Sequence, residues 1–235
     1  LFPSEQFLEM QARLRYMIQE REFGMITGDI GSGKTTAIRA LRDQLTPNEH
    51  VFLYISDSSL KPRDFYREML LQVGVEPKFL ASDLKRQFKT ALLDLFENKK
   101  KVPIVVIDEA HLLSPSMLQE IRFLTNFKLD SLSPLALILV GQPELRDKLR
   151  LRSLEAISQR ITTRYHLTGL TFDEMKKYIN DYPGSEYDTE AKEILVNLLA
   201  NTNNFSDALA LYESFGQPTP LMKKVYPRIL FGQAI

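Results

Sequence analysis

Two short runs in this chain have residue types and spacing that could do chemistry. The first is Gly28-Asp29-Ile30-Gly31-Ser32-Gly33-Lys34-Thr35, with the spacing Gly-x-x-x-x-Gly-Lys-Thr. It follows an apolar stretch and opens a helical pattern, the context in which this spacing wraps a phosphate chain. Its glycines let backbone N–H groups turn inward around phosphate oxygens, and the helix N-terminus adds its positive end. Lys34 is expected to reach the β- and γ-phosphates of ATP and Thr35 to face Mg2+, with Thr36 completing the binding loop. The second run, Ile104-Val105-Val106-Ile107-Asp108-Glu109, is an apolar strand that delivers acids at its C-terminal end. Asp108 is expected to hold Mg2+, directly or through water, and Glu109 to orient and polarise the attacking water. An acid pair at a strand exit is common by itself; beside a phosphate loop it reads as half of a hydrolytic site. Ala110-His111 extends the run to Asp-Glu-Ala-His, and His111 is expected to be a structural or coupling residue rather than a catalyst.

These groups need a frame that brings two distant segments to one edge. Apolar runs at 24–27, 51–56, 102–108, 135–140 and 163–167 read as strands. The third and fourth are apolar almost throughout, as expected of central parallel strands covered on both faces. Helical patterns at 7–20, 34–45, 62–73, 82–97, 115–127, 143–149 and 153–161 fill the gaps, which is the alternation of a parallel α/β sheet. Ser114-Pro115 marks one helix start, and Thr171 with Glu174 three residues later forms a capping box. Strands end near residue 169; helices are expected at 171–181, 189–200 and 207–215. The expected domains are therefore 1–169, a nucleotide-binding α/β core, and 170–235, a small helical domain.

Composition narrows the function classes. The chain has 235 residues, 44% of them apolar, enough for a sizeable core. Thirty Lys plus Arg balance thirty Asp plus Glu, so no global charge marks a nucleic-acid or membrane partner. There is no cysteine, which removes disulfide and thiol chemistry and fits a reducing compartment. No apolar run approaches the roughly 20 residues of a membrane helix. The first residues have neither the basic region nor the apolar run of a signal peptide. A cytoplasmic protein without a membrane partner is the expectation, although Leu1 suggests that the chain is a fragment.

Further stretches carry a resemblance. They are Leu139-Val140-Gly141-Gln142-Pro143-Glu144-Leu145; Gln159-Arg160-Ile161 before Arg164-Tyr165-His166-Leu167; Asp57 and the run Pro62 to Glu68; and Ile121 to Phe127. With the phosphate loop, the acidic strand and the strand between them, these resemble the bacterial ExeA/TniB-type AAA+ ATPases over roughly residues 1–180. That group includes secretion-pathway components and transposition regulators of the TnsC/IstB kind. The resemblance implies an additional-strand, three-layer α/β fold with a small C-terminal helical lid, using ATP and Mg2+. It makes Gln142 the sensor that meets the γ-phosphate or the lytic water. It makes Arg160 the arginine finger reaching into a neighbouring subunit, with Arg164 competing for that role. Residues 1–7 resemble the segment that packs on the adenine base. The C-terminus departs from the family: the usual Gly-x-Pro-Arg motif is replaced by Tyr226-Pro227-Arg228. Arg228, the single arginine after Arg164, stands as the candidate second sensor.

A finger from one subunit acting on the loop of another implies a homo-oligomer, a ring or helical filament formed with ATP. Three jobs fit such an assembly. The leading expectation is a regulator that binds duplex DNA and presents it to a transposase, with Lys61, Arg63 and Arg67 as phosphate contacts and Lys85, Arg86 and Lys89 as a second cluster. The alternatives are a secretion-pathway ATPase of the ExeA type and an ATP-driven signalling or defence switch.

Overall fold

The computed structural model describes residues 2–57, 59–124, 133–185, 187–214 and 218–233. The chain divides into two compact units, one of Glu5–Gly169 and one of Leu1–Ser4 with Leu170–Ile235.

In the larger unit five strands form one parallel sheet: β1 (Phe23–Gly28), β2 (His50–Ile55), β3 (Val102–Ile107), β4 (Ala136–Gly141) and β5 (Thr163–Leu167). Their order is β2-β3-β4-β1-β5, so β4 lies between the strand that feeds the phosphate loop and the strand that carries Asp108. Side chains alternate across the pleat and divide the core in two. On one face Ile26, Ile104, Val106, Ile138 and Val140 pack with residues of α1 (Glu5–Gln19) and α2 (Lys34–Gln44). On the other, Met25, Leu53, Val105, Ile107, Leu137 and Leu139 pack under α3 (Pro62–Gln72), α4 (Ala81–Leu93), α5 (Pro115–Leu124), α6 (Glu144–Leu149) and the short α7 (Glu155–Ser158). This is the expected three-layer parallel α/β fold. Every residue of β4 is buried, which explains its unbroken apolar run.

Some helix ends differ from the pattern. The helix expected to run to residue 97 ends at Leu93 and continues as a wider π-type turn, Asp94–Asn98. The stretch before β5 breaks into a 3-10 turn, Arg152–Leu154, followed by α7. Residues 125–127 and 215, expected at helix ends, lie outside the described residues. Ser114 caps α5 by accepting from the Met117 N–H at 3.2 Å.

The smaller unit is helical: α8 (Phe172–Asp181), α9 (Asp188–Asn201), α10 (Phe205–Glu213) and α11 (Pro220–Gln233). Its core is Ile179, Leu195, Val196, Leu199, Ala208, Met222 and Ile229. The capping box at Thr171 is formed in both directions with Glu174. α11 was not anticipated: it contains Pro227, whose missing N–H removes one helical bond and hides the helix from a propensity reading. Gly232 lets it pack, since a Cβ there would lie 2.3 Å from Phe205.

Candidate active site

The loop after β1 has the backbone its glycines require. Gly31 (φ 78°) and Gly33 (φ 92°) both adopt the left-handed region, open to glycine at little cost. Gly28 is needed for space: a Cβ would stand 2.6 Å from Ser32 Oγ and 2.7 Å from the Leu167 carbonyl oxygen. Lys34 opens α2 and is 6% exposed. Its ammonium donates to the carbonyl oxygens of Gly28 (2.8 Å) and Asp29 (2.7 Å), and at 3.4 Å to Ser32 Oγ. Burial lowers its pKa, while the charges of Glu109, Asp108 and Asp29 act the other way. Ile30 projects from the loop, 84% exposed.

β3 brings Asp108 opposite this loop, and three donors meet its carboxylate. Thr35 Oγ1 donates to Oδ2 at 3.2 Å, the Tyr54 phenol donates to the same oxygen at 2.7 Å, and the Glu109 N–H donates to Oδ1 at 2.9 Å. Asp108 is 3% exposed. Burial first, and then this hydrogen bond, raise the pKa of the Tyr54 hydroxyl, which stays a donor. Tyr54 escaped the sequence reading. It lies on β2 beside Val106 of β3, and the clue was a phenol inside an otherwise apolar strand, where a buried hydroxyl needs a partner.

Glu109 follows in the left-handed region (φ 50°, ψ 32°), uncommon for a residue with a side chain and costing on the order of 1 kcal/mol. Its side chain is 41% exposed, and its Oε2 lies 3.6 Å from Nδ1 of His111. The main-chain N–H of Gln142, just past β4, points at the same Nδ1 from 3.4 Å. Lys148 of α6 donates to the carbonyl oxygens of His111 and, at 2.9 Å, Leu113, fixing the loop after the acids. Lys148 was also missed by the sequence reading, since nothing in the spacing 111 to 148 announces a side chain bonding main chain.

Lys34, Thr35, Asp108 and Glu109 are thus brought together, with the Gln142 backbone joined through His111. Other candidates are placed elsewhere. Arg160 follows α7, and its Nη1 approaches the Arg122 carbonyl oxygen at 3.5 Å. Arg164 on β5 donates to Ser158 O (2.6 Å) and Oγ (2.9 Å). Two adjoining cavities of about 410 and 260 Å³ share Arg150 and Arg164 in their walls, with Arg152 in the larger and Arg146 in the smaller. Lys61, just before α3, and Arg63 and Arg67 in its first two turns are exposed, and Arg63 lies over the ring of Phe79 at 5.1 Å. The second basic cluster is internally engaged: Lys85 pairs with Glu120 at 2.6 Å and Arg86 with Asp83 at 2.8 Å. In the helical unit Arg228 donates to Asn201 Oδ1 at 2.8 Å. There, too, Phe2 meets Tyr178 edge-on at 5.6 Å. Leu1 lies outside the described residues.

Among the described residues no group of three or more His, Asp or Glu side chains could hold a metal alone, and no helix is long and apolar enough to cross a membrane.

Comparison with known proteins places this geometry. The chain is 37% identical over 182 residues to General secretion pathway protein A of Aeromonas hydrophila, a match covering 76% of this chain and 33% of that protein. The matched region is thus about a third of the relative's length. In fold it is similar to the ORC2 protein of Aeropyrum pernix, solved as ADPNP–ADP complexes (TM-score 0.57, 14% identity, 96% of this chain and 67% of that one). It is also similar to Cdc6p of Pyrobaculum aerophilum (TM-score 0.56, 18% identity, 82% and 55%). The family model described as AAA domain matches residues 16–149, spanning the phosphate loop, the acidic strand and Gln142, and the chain belongs to that family of AAA-domain ATPases.

Proposed function

We propose that this protein hydrolyses Mg-ATP in an assembly of like subunits, and that the assembly drives or gates a secretion-type process. The carrying observation is Asp108, whose Oδ2 is shared by Thr35 and Tyr54 directly across from Lys34. A hydroxyl and a carboxylate oxygen 3.2 Å apart are the one or two protein ligands Mg2+ takes when phosphate oxygens and water complete its shell. The residues therefore fit Mg2+: Thr35 and Asp108 would hold it, and it would supply charge neutralisation on the β- and γ-phosphates. Main-chain N–H groups of the loop and the Lys34 ammonium bind the phosphate chain. Exposed Glu109 accepts the proton of the attacking water, Gln142 aligns that water or the γ-phosphate, and Arg160 or Arg164 of a neighbouring copy meets the charge that develops there. Arg228 is proposed as the second sensor.

The secretion context is favoured by the 37% identity to General secretion pathway protein A. A second reading, a duplex-DNA-bound filament that recruits a transposase, keeps one observation: exposed Lys61, Arg63 and Arg67 along the first half of α3. Microscopy and sedimentation with a non-hydrolysable ATP analogue, with and without duplex DNA, separate the two. Rings or filaments that form with nucleotide alone support the first reading. Assembly that requires DNA, and is lost in an alanine variant of Lys61, Arg63 and Arg67, supports the second. A protein that stays monomeric under every condition contradicts both.

A further inference from the structure

His111 lies between a hydrogen-bond donor and a possible acceptor. Its Nδ1 faces a donor, the main-chain N–H of Gln142 at 3.4 Å, and an acceptor, Glu109 Oε2 at 3.6 Å. One ring nitrogen serves one of these at a time: with a lone pair it accepts from Gln142, and with a hydrogen it donates to Glu109. Both separations are longer than a settled bond, as expected of an atom between two partners. The ring has little room to turn away. Its side chain is 9% exposed, and Lys148 holds the carbonyl oxygens of His111 and Leu113. Gly141 lies close against it, since a Cβ there would stand 3.1 Å from His111 N and 3.4 Å from Nδ1.

We propose that His111 is a positioning residue that passes Nδ1 from the main chain of Gln142 to the carboxylate of Glu109, so that the end of β4 controls the orientation of the catalytic glutamate. The inference rests on the reading of Glu109 as the residue that activates water. While the Gln142 N–H occupies Nδ1, the neutral ring keeps its hydrogen on Nε2 and Glu109 is unanchored. When Gln142 is drawn toward the γ-phosphate, that N–H leaves and the ring hydrogen is carried on Nδ1 after exchange through solvent. Nδ1–H then donates to Oε2, and Oε1 is left to accept from water. The ring keeps one hydrogen throughout, and no charge is created on it.

The test uses the position of the nitrogen. An asparagine amide reaches the place of Nδ1, whereas a glutamine amide reaches that of Nε2. Single-turnover ATP hydrolysis and affinity for a fluorescent ATP analogue are measured for the wild type, His111→Asn, His111→Gln and His111→Ala, with Lys34→Ala alongside. Hydrolysis by His111→Asn is expected within about threefold of wild type, and that of the Gln and Ala variants roughly 10- to 100-fold lower. Nucleotide affinity is expected to change less than about twofold in all three. Asn and Gln variants with equal rates, an Ala variant at wild-type rate, or affinity falling in step with rate would each overturn the proposal. If the wild type hydrolyses no ATP, or Lys34→Ala binds and hydrolyses it as the wild type does, the reading of this site beneath the proposal fails instead.

Discussion

The phosphate loop and the rim beside β5 belong to the same sheet but hold charge in opposite ways. At the loop, Lys34 and Asp108 are 6% and 3% exposed, and each is committed to partners within the chain: Lys34 to Gly28, Asp29 and Ser32, Asp108 to Thr35, Tyr54 and the Glu109 N–H. At the rim, exposed Arg146, Arg150, Arg152 and Arg164 line two open cavities. Asp147 pairs with Arg150 at 3.1 Å, with both side chains more than 70% exposed, 72% and 74%. A buried charge needs its partners in place before the reaction, which is what fixed dipoles at a reacting centre require. An exposed guanidinium has five planar donors, so one engaged by a neighbour still has others to offer an anion that comes from outside. The difference suits the proposed division of labour, in which one chain would make its own phosphate-binding half and offer cations to another.

The largest expected effect breaks that division at its exposed side. Arg160→Ala or Arg164→Ala, whichever supplies the finger, is expected to lower hydrolysis by about 1,000-fold without weakening nucleotide binding. Activity would return when it is mixed with a Glu109→Gln protein that has both arginines, as phosphate-release assays on mixtures would show. Glu109→Gln alone removes the water-activating carboxylate but not the loop, so turnover is expected to fall roughly 100-fold or more with affinity retained. Tyr54→Phe sharpens the comparison on the buried side. Asp108 loses one of its donors, and the Mg2+ concentration needed for half-maximal nucleotide binding is expected to shift several-fold, as second-shell losses do.

The helical unit supplies the smaller tests. Asp188, 7% exposed, takes hydrogen bonds from Lys192 and the Gly184 N–H. The Lys192 hydrogen bond, with that N–H, holds its carboxyl below the usual carboxylate range against the opposing effect of burial. A carboxylate depressed in the folded state contributes stability above its ordinary value of about 4 and loses it as pH falls through the folded value. Protection of α8 and α9 amides against hydrogen exchange, relative to their intrinsic rates, is therefore expected to fall below about pH 4 in the wild type, and to lose that dependence in Asp188→Asn. Thr171→Ala removes the capping box and is expected to cost about 1 kcal/mol, read by thermal or denaturant unfolding.

The sheet and the core of the site were legible because they depend on local signals. Val102 to Ile107 and Ala136 to Val140 are apolar since both faces are covered, and Gly28, Gly31 and Gly33 have their spacing since the loop's backbone and packing require glycine there. Tyr54 was legible only as a phenol in need of a partner and Lys148 not at all: their roles arise from the register of β2 on β3 and from α6 lying over the loop after Asp108, and neither partner is marked in nearby sequence. The polar role of Gln142 came from the family resemblance, yet the atom with a defined partner in the structure is its main-chain nitrogen. α11 was hidden by Pro227 and by weak polarity contrast, because tertiary packing of Met222 and Ile229 decides it.

The most direct test of the ATPase reading is nucleotide binding and phosphate release by the wild type and Lys34→Ala, measured with ATP at millimolar Mg2+. The expected result is ATP-dependent phosphate release by the wild type, and loss of both binding and release in Lys34→Ala, by roughly 100-fold or more. Equal binding by the two proteins, or phosphate release that survives without the Lys34 ammonium, would contradict it.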